Sequence, residues 1–212
     1  MAASRRTTVR PGRSVRYAVA MSLDGYIADP SGEGDWIIND PEIDFNEIYS
    51  RFDTLLIGRK TFDAMRKMGG GEGEWPGMKS FVISRTMKEA EHPRITIARD
   101  AVGLVKDLKA QPGKDIWLFG GGELFTSLLD AGFVDGIDVG VIPVLLGGGI
   151  PLLAPPAPRT KLTLRNRRVY EKSGIVGLEY DLVRDSRSRK GLCARPADRV
   201  DVLQSADDKE PV

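Results

Sequence analysis

Cysteine and histidine occur once each, as Cys193 and His92, and that scarcity closes off several chemistries. One thiol cannot form an internal disulfide, which fits a reducing compartment and an expected cytoplasmic location. A zinc site built from several His or Cys ligands is excluded, as is a Cys–His nucleophile pair, so no bound metal is expected. His92, just before Pro93, reads as a solvated loop residue. No apolar run approaches the roughly 18 residues of a membrane span, and no apolar stretch follows the N-terminal arginines as in a secretion signal.

Charge of one sign is missing from the start of the chain. Residues 1–16 hold five arginines and no acid, whereas residues 17–183 hold 19 basic and 24 acidic residues. The acidic body argues against a nucleic-acid surface, and the basic segment reads as a solvated arm. The expected organisation is a disordered basic arm over 1–13, one domain over 14–183 and a disordered polar tail over 184–212. With thiol and imidazole chemistry removed, any reaction must rest on an organic cofactor, carboxylates and backbone groups.

What is present is an alternation of short apolar strands and amphipathic helices. Strands are expected at 16–21, 54–57, 80–84, 95–98, 116–119 and 137–146. Helices are expected over 42–52, from Gly58, over 101–110 and from Glu123. Residues 161–170 and 175–183 alternate as a hairpin about Lys172-Ser173-Gly174. This order predicts an α/β fold with a mostly parallel central sheet, helices on both faces and a C-terminal β-hairpin. Ligands of such sheets sit beyond the carboxyl ends of the strands.

Those strand ends carry the informative residues. The run Ile116–Phe119 stops at Gly120, Gly121 and Gly122 and leads into a helix, a pattern that serves either a tight turn or an anion cradle. Gly58-Arg59-Lys60-Thr61 opens another helix; Thr61 can cap it, or the segment can present N–H groups, a hydroxyl and two cations to phosphate. Ser84 and Arg85 end a third strand, where Arg85 is either solvated or a planar fork for a phosphate.

Together AVAMSLDGYIA, LLIGRKTFDAM, WPGMKSFVISR and FGGGELF resemble the dihydrofolate reductase superfamily, including the reductase half of the bacterial riboflavin deaminase–reductase. The resemblance covers roughly residues 17–183 and implies an NADPH cofactor. It implies that Ala20, Ile27 and Phe125 lie beside the nicotinamide. Gly58, Arg59, Lys60 and Thr61 form the signature at a helix start, Ser84 and Arg85 meet the 2′-phosphate, and Gly120 to Phe125, with Glu123 and Leu124, make the pyrophosphate turn.

Two departures bear on the substrate. The arginine that clamps the folate glutamate is replaced by Met78. The acid that assists protonation is displaced: counting forward from Trp36 reaches Pro41, and counting back from Gly58 reaches Glu42, with Asp40 and Asp44 beside it. Glu42 is the candidate catalytic acid; a surface acid in a helix first turn is the other reading. VDGIDVGVIPVLLGGGIPLL is closer to the riboflavin reductase half, although its Thr-Val…Asp-x-Pro-x-Leu segment is replaced by GRKTFDAMRKM. The expected function is an NADPH-dependent reductase of a small nitrogen heterocycle, such as 5-amino-6-(5-phosphoribosylamino)uracil. A dihydrofolate or pterin reductase and a non-catalytic NADPH-binding module are the alternatives. The expected partner is that small molecule, with neither membrane nor nucleic acid; a homodimer is left open.

Overall fold

The computed structural model describes residues 12–69, 71, 73 and 75–184. Most of the expected basic arm and polar tail lies outside them. Arg13, assigned to that arm, is instead buried. Its guanidinium ion-pairs with Asp53 and donates to Thr54 Oγ1 at 2.6 Å, so the ordered domain begins before residue 14.

The strands are β1 (Val15–Ser22), β2 (Tyr26–Ala28), β3 (Phe52–Gly58), β4 (Lys79–Ile83), β5 (Thr96–Ala98), β6 (Asp115–Gly120), β7 (Gly136–Ile142), β8 (Ile150–Pro151), β9 (Leu162–Tyr170) and β10 (Ile175–Leu182). Eight of them form one sheet in the order β5-β4-β3-β6-β1-β7-β10-β9, and β2 pairs with β8. The pairs from β5 to β7 are parallel, whereas β10 runs antiparallel to both β7 and β9. The central strands are buried on both sides, as their near-continuous apolar runs require.

Helices α1 (Phe45–Ser50) and α2 (Arg59–Lys67) flank one face, while α3 (Ala101–Ala110) and α4 (Gly122–Asp130) flank the other. Val105 and Leu108 of α3 and Leu124, Phe125 and Leu128 of α4 pack on Val15, Tyr17 and Leu118. Phe62 and Met65 of α2 pack on Leu55, Ile57 and Val82 on the opposite side. Each fully buried side chain of this size contributes about 1.5–3 kcal/mol of transfer free energy.

Three expectations change. The first helix runs over 45–50 rather than 42–52. Asp44 caps it by accepting the Glu47 N–H at 3.0 Å, and Phe52 is drawn into β3. Strand β7 stops at Ile142 rather than residue 146, because Pro143 has no N–H to continue a ladder. His92 is buried, with its ring edge-on to Phe62 at 5.4 Å between centroids.

Beyond β7 the chain is tied back to the β1–β2 loop by Asp24. Its carboxylate accepts the Ser22 hydroxyl at 2.6 Å and the Leu146 and Gly147 N–H groups at 3.1 and 2.7 Å. These hydrogen bonds, that from Ser22 foremost, hold the Asp24 pKa below the usual carboxylate value.

At the base of the sheet, Arg16 of β1 reaches across to Asp138 of β7, with Nε at 2.9 Å from Oδ2, and to Asp181 of β10 at 3.0 Å. Burial opposes its charge, but the hydrogen bonds and charges of Asp138 and Asp181 raise its pKa above the ordinary arginine value. Removing one member of such a buried pair leaves the other charge without compensation. We predict that Arg16→Ala costs about 3 kcal/mol in urea denaturation. A loss below about 1 kcal/mol, the worth of an exposed pair, would show that Arg51 alone satisfies Asp138.

Candidate active site

A cleft of ≈ 1330 Å³ opens at the carboxyl ends of β1, β3 and β6. It brings together Ala20, Ile27, Gly58, Arg59, Lys60, Thr61, Arg85 and Gly120 to Leu124. Residues distant in the chain meet here because parallel strands all end on one edge of the sheet.

Two helix N-termini converge at its wall. Gly58 caps α2 and Gly121 caps α4, and neither has a side chain to satisfy the first-turn N–H groups. The approach is close: a Cβ on Gly58 would lie 3.2 Å from the Gly121 nitrogen, and one on Gly121 would lie 3.0 Å from Thr61 Oγ1. A Cβ at either position would press on its neighbour, so glycine is favoured here by contact. The backbone of Gly121 is extended, with φ −98° and ψ −173°, so a left-handed conformation is not the reason. Gly122 is tighter still, since its Cβ would meet the Pro151 carbonyl at 2.8 Å.

The first turn of α2 has no acid and begins with Arg59 and Lys60. Cations at a helix N-terminus oppose the dipole unless an anion lies between them. Arg59 bonds the Thr86 hydroxyl and lies 3.4 Å from Asp63, and exposed Lys60 meets Glu123 at 2.7 Å. These are solvent-screened contacts that a bound phosphate could replace. Next to the cleft a hollow of ≈ 330 Å³ is lined by Ser84, Arg85, Arg99 and Asp100. Asp100 is occupied as the α3 cap, accepting the Val102 and Gly103 N–H groups. Arg99 donates to the Arg85 carbonyl at 2.6 Å. It was missed in the sequence, although a basic residue directly after the short strand 96–98 is the same signal that singled out Arg85.

Several expected residues are placed otherwise. Ser84 is buried, and its hydroxyl accepts the Thr86 and Met87 N–H groups at 3.3 and 3.1 Å, so it shapes the turn that presents Arg85. Phe125 does not line the cleft. It is 1% exposed and stacks on Tyr17 at 4.1 Å in the core, and burial pushes the Tyr17 hydroxyl pKa upward. Its position on α4 directs it inward, on the same face as Leu128 and Leu129.

Glu42 also lies away from the cleft lining, with Oε1 at 2.8 Å from Lys172 Nζ in the β9–β10 turn. That bond raises the Lys172 pKa. Asp40 is buried, accepts the Glu42 N–H at 2.8 Å and is held below the usual carboxylate pKa foremost by Ser173. The segment preceding α1 therefore turns its acids toward the hairpin. Met78 packs beside the aromatic cluster and does not face the cleft.

The cleft also holds groups that the sequence reading passed over. Asp138 and Glu179 stand on its sheet floor, with Arg51 Nη2 at 3.0 Å from Asp138. Tyr49, Trp117 and Phe119 form an apolar wall, Tyr49 and Trp117 stacking at 5.3 Å. An aspartate inside the apolar run of β7 was the available signal, since charge is rare in a strand covered on both faces.

The sheet order and the cleft at its carboxyl edge define a dihydrofolate reductase-like fold. Residues 13–175 match the RibD C-terminal domain, and the chain belongs to that RibD-type reductase family. The uncharacterized protein YyaP of Bacillus subtilis (strain 168) is 36% identical over 178 residues, covering 79% of this chain and 94% of its own. A Shewanella sp. PV-4 protein named for riboflavin biosynthesis superposes with a TM-score of 0.67 at 28% identity, covering 81% of this chain and 99% of its own. Dihydrofolate reductase from Enterococcus faecalis, complexed with NADP(H) and RAB-propyl, shares the fold with a TM-score of 0.57 at 14% identity, covering 80% and 94%.

We predict that Gly121→Val folds but no longer binds a dinucleotide, because the branched side chain fills the gap between the two helix starts. Fluorescence titration with NADPH measures it. Unchanged affinity in a variant with an unchanged melting curve would overturn the cradle assignment.

Proposed function

We propose that the protein is an NADPH-dependent reductase of a small nitrogen heterocycle, of the riboflavin-pathway type. One observation carries the reading. Two helix N-termini without side-chain caps meet at Gly58 and Gly121, in a cleft that also holds Ala20 and adjoins the arginine-lined hollow. A dinucleotide has this distribution of needs: an apolar seat for its reactive ring, N–H groups for its pyrophosphate and cations for a terminal phosphate. The NADP(H) held by the Enterococcus enzyme of the same fold supports this choice.

In this reading Ala20 and Ile27 seat the nicotinamide. The α2 and α4 N-termini orient the pyrophosphate, and Arg85 and Arg99 hold the 2′-phosphate. Bound NADPH supplies a hydride from C4. The chain itself positions the acceptor ring against Tyr49, Trp117 and Phe119 and keeps water from it. Glu42, paired with Lys172 outside the cleft, is not assigned the proton. The cytoplasm remains the proposed location.

Two assays test the assignment. At 100 times its dissociation constant, NADPH is predicted to add about 2.7 kcal/mol of stability, with a smaller gain from NADH at the same concentration. Arg85→Ala should narrow the difference. Equal melting shifts with both cofactors, unaltered by Arg85→Ala, would overturn the 2′-phosphate assignment. NADPH binding without turnover on any heterocycle would favour the binding-module alternative.

The second assay concerns folate. A clamp for the glutamate carboxylate calls for a planar, bidentate cation. Met78 is apolar, and Lys79 Nζ lies over the Phe81 ring at 5.0 Å. Dihydrofolate is therefore predicted to be a poor substrate beside a smaller ring without that tail. A micromolar-range Michaelis constant for dihydrofolate, typical of a dedicated enzyme, would restore the folate alternative.

A further inference from the structure

The sheet floor of the cleft has a consistent order when read across four strands. Alternate residues share a face, so register identifies rows of neighbours. One row joins Ala20 of β1, Gly140 of β7 and Gly177 of β10 and ends at Arg168 of β9. The row beside it joins Ala18, Asp138, Glu179 and Asn166. Both rows border the cleft. The first is nearly bare of side chains, and a Cβ built on Gly140 meets nothing within 4 Å. The second carries carboxylates.

The two carboxylates differ in what they have left to offer. Asp138 is committed: Arg16 and Arg51 both donate to it, and its side chain is mostly covered. Glu179 Oε1 accepts from Asn166 at 3.2 Å and lies 3.7 Å from Arg51 Nη1. Among the described residues nothing donates to its Oε2. Arg51 and Asn166 thus fix the orientation of Glu179 without saturating it. An ionised carboxylate accepts hydrogen bonds and donates none, and its bonds to N–H groups are about twice as strong as neutral ones.

We propose that the bare stretch Gly140–Gly177, next to the nicotinamide seat at Ala20, holds the acceptor ring and that Glu179 sets specificity, selecting a flat heterocycle that presents amino N–H donors to Oε2. This rests on the reductase reading for the identity of the ligand beside Ala20. It also supplies what the α1 segment does not, a polar group at the substrate end of the cleft. A ring bearing only acceptors at that edge would set its lone pairs against the carboxylate oxygen and be rejected.

The test uses ring binding, which is independent of turnover. Wild-type full-length protein is titrated calorimetrically with 5,6-diaminouracil and with uracil, each with and without NADPH. We expect at least tenfold tighter binding of the diamino compound. Glu179→Gln should reduce that ratio to about twofold with the NADPH affinity unchanged. Glu42→Gln should leave it intact. Gly140→Val, a substitution suited to a strand, should abolish binding of both rings while the melting temperature holds.

An unaltered ratio in Glu179→Gln would overturn the proposal, as would equal affinity of the wild type for the two rings or ring binding unaffected by Gly140→Val. The outcomes for the two readings separate. Failure of NADPH to bind removes the reductase reading, while the rings still report on the seat. Turnover with NADPH and an unaltered ratio in Glu179→Gln removes only the role of Glu179.

Discussion

The charge that Arg16 carries into the sheet is the constraint around which the domain is arranged. A guanidinium 2% exposed on the second residue of β1 has to find carboxylates on the neighbouring strands, and Asp138 and Asp181 are its partners. Satisfying it aligns β1 against β7 and β7 against β10 in one register. Slipping by one residue would bury a lone cation and turn the alternate residues of β7 to the wrong face. From that register follow the neighbours Ala18 and Asp138, Ala20 and Gly140, and so the floor of the cleft. Arg16, expected only as the first residue of a strand, is a structural anchor.

The cleft divides electrostatically along the same line. Toward β3, β4 and β6 it offers N–H groups and arginines, the environment of an anion. Toward β7 and β10 it offers carboxylates held by arginines, the environment of N–H donors. Aromatic side chains at Tyr49, Trp117 and Phe119 lie between them. A reductase has to bind a charged cofactor and a flat acceptor in contact with each other, and this division lets each be recognised by opposite means.

How much of this was legible in the sequence depended on how local the signal was. The parallel strands, the C-terminal hairpin and the glycine-bearing strand ends could be read because periodicity and Gly clusters are local properties. The length of α1 could not, because the Asp44 cap and the capture of Phe52 by β3 override an apolar repeat that favours a longer helix. The resemblance places Phe125 and Ser84 at the cofactor, yet helix phase turns one into the core and a buried turn uses the other. Glu179 was invisible: its importance comes from cross-strand neighbours that are 13 and 41 residues away, Asn166 and Asp138. The reason for glycine at 121 was equally hidden, since proximity of Thr61 is a tertiary fact.

The last strand position in the sheet carries its own consequence. Among the described residues, strand β9 has β10 on one side and no partner strand on the other, and Leu164 and Val169 on it are exposed. A row of open amides with apolar side chains is a template for a stranger's backbone. The same strand carries Arg165, Arg167 and Arg168, nearly all of it solvent-facing. Like charges opposed across a docked copy would repel, so these arginines act as gatekeepers against polymerisation through the sheet margin. Arg168 belongs at once to that guard and to the end of the bare row, so the pressure to keep this margin soluble and the demands of the cleft fall on one side chain.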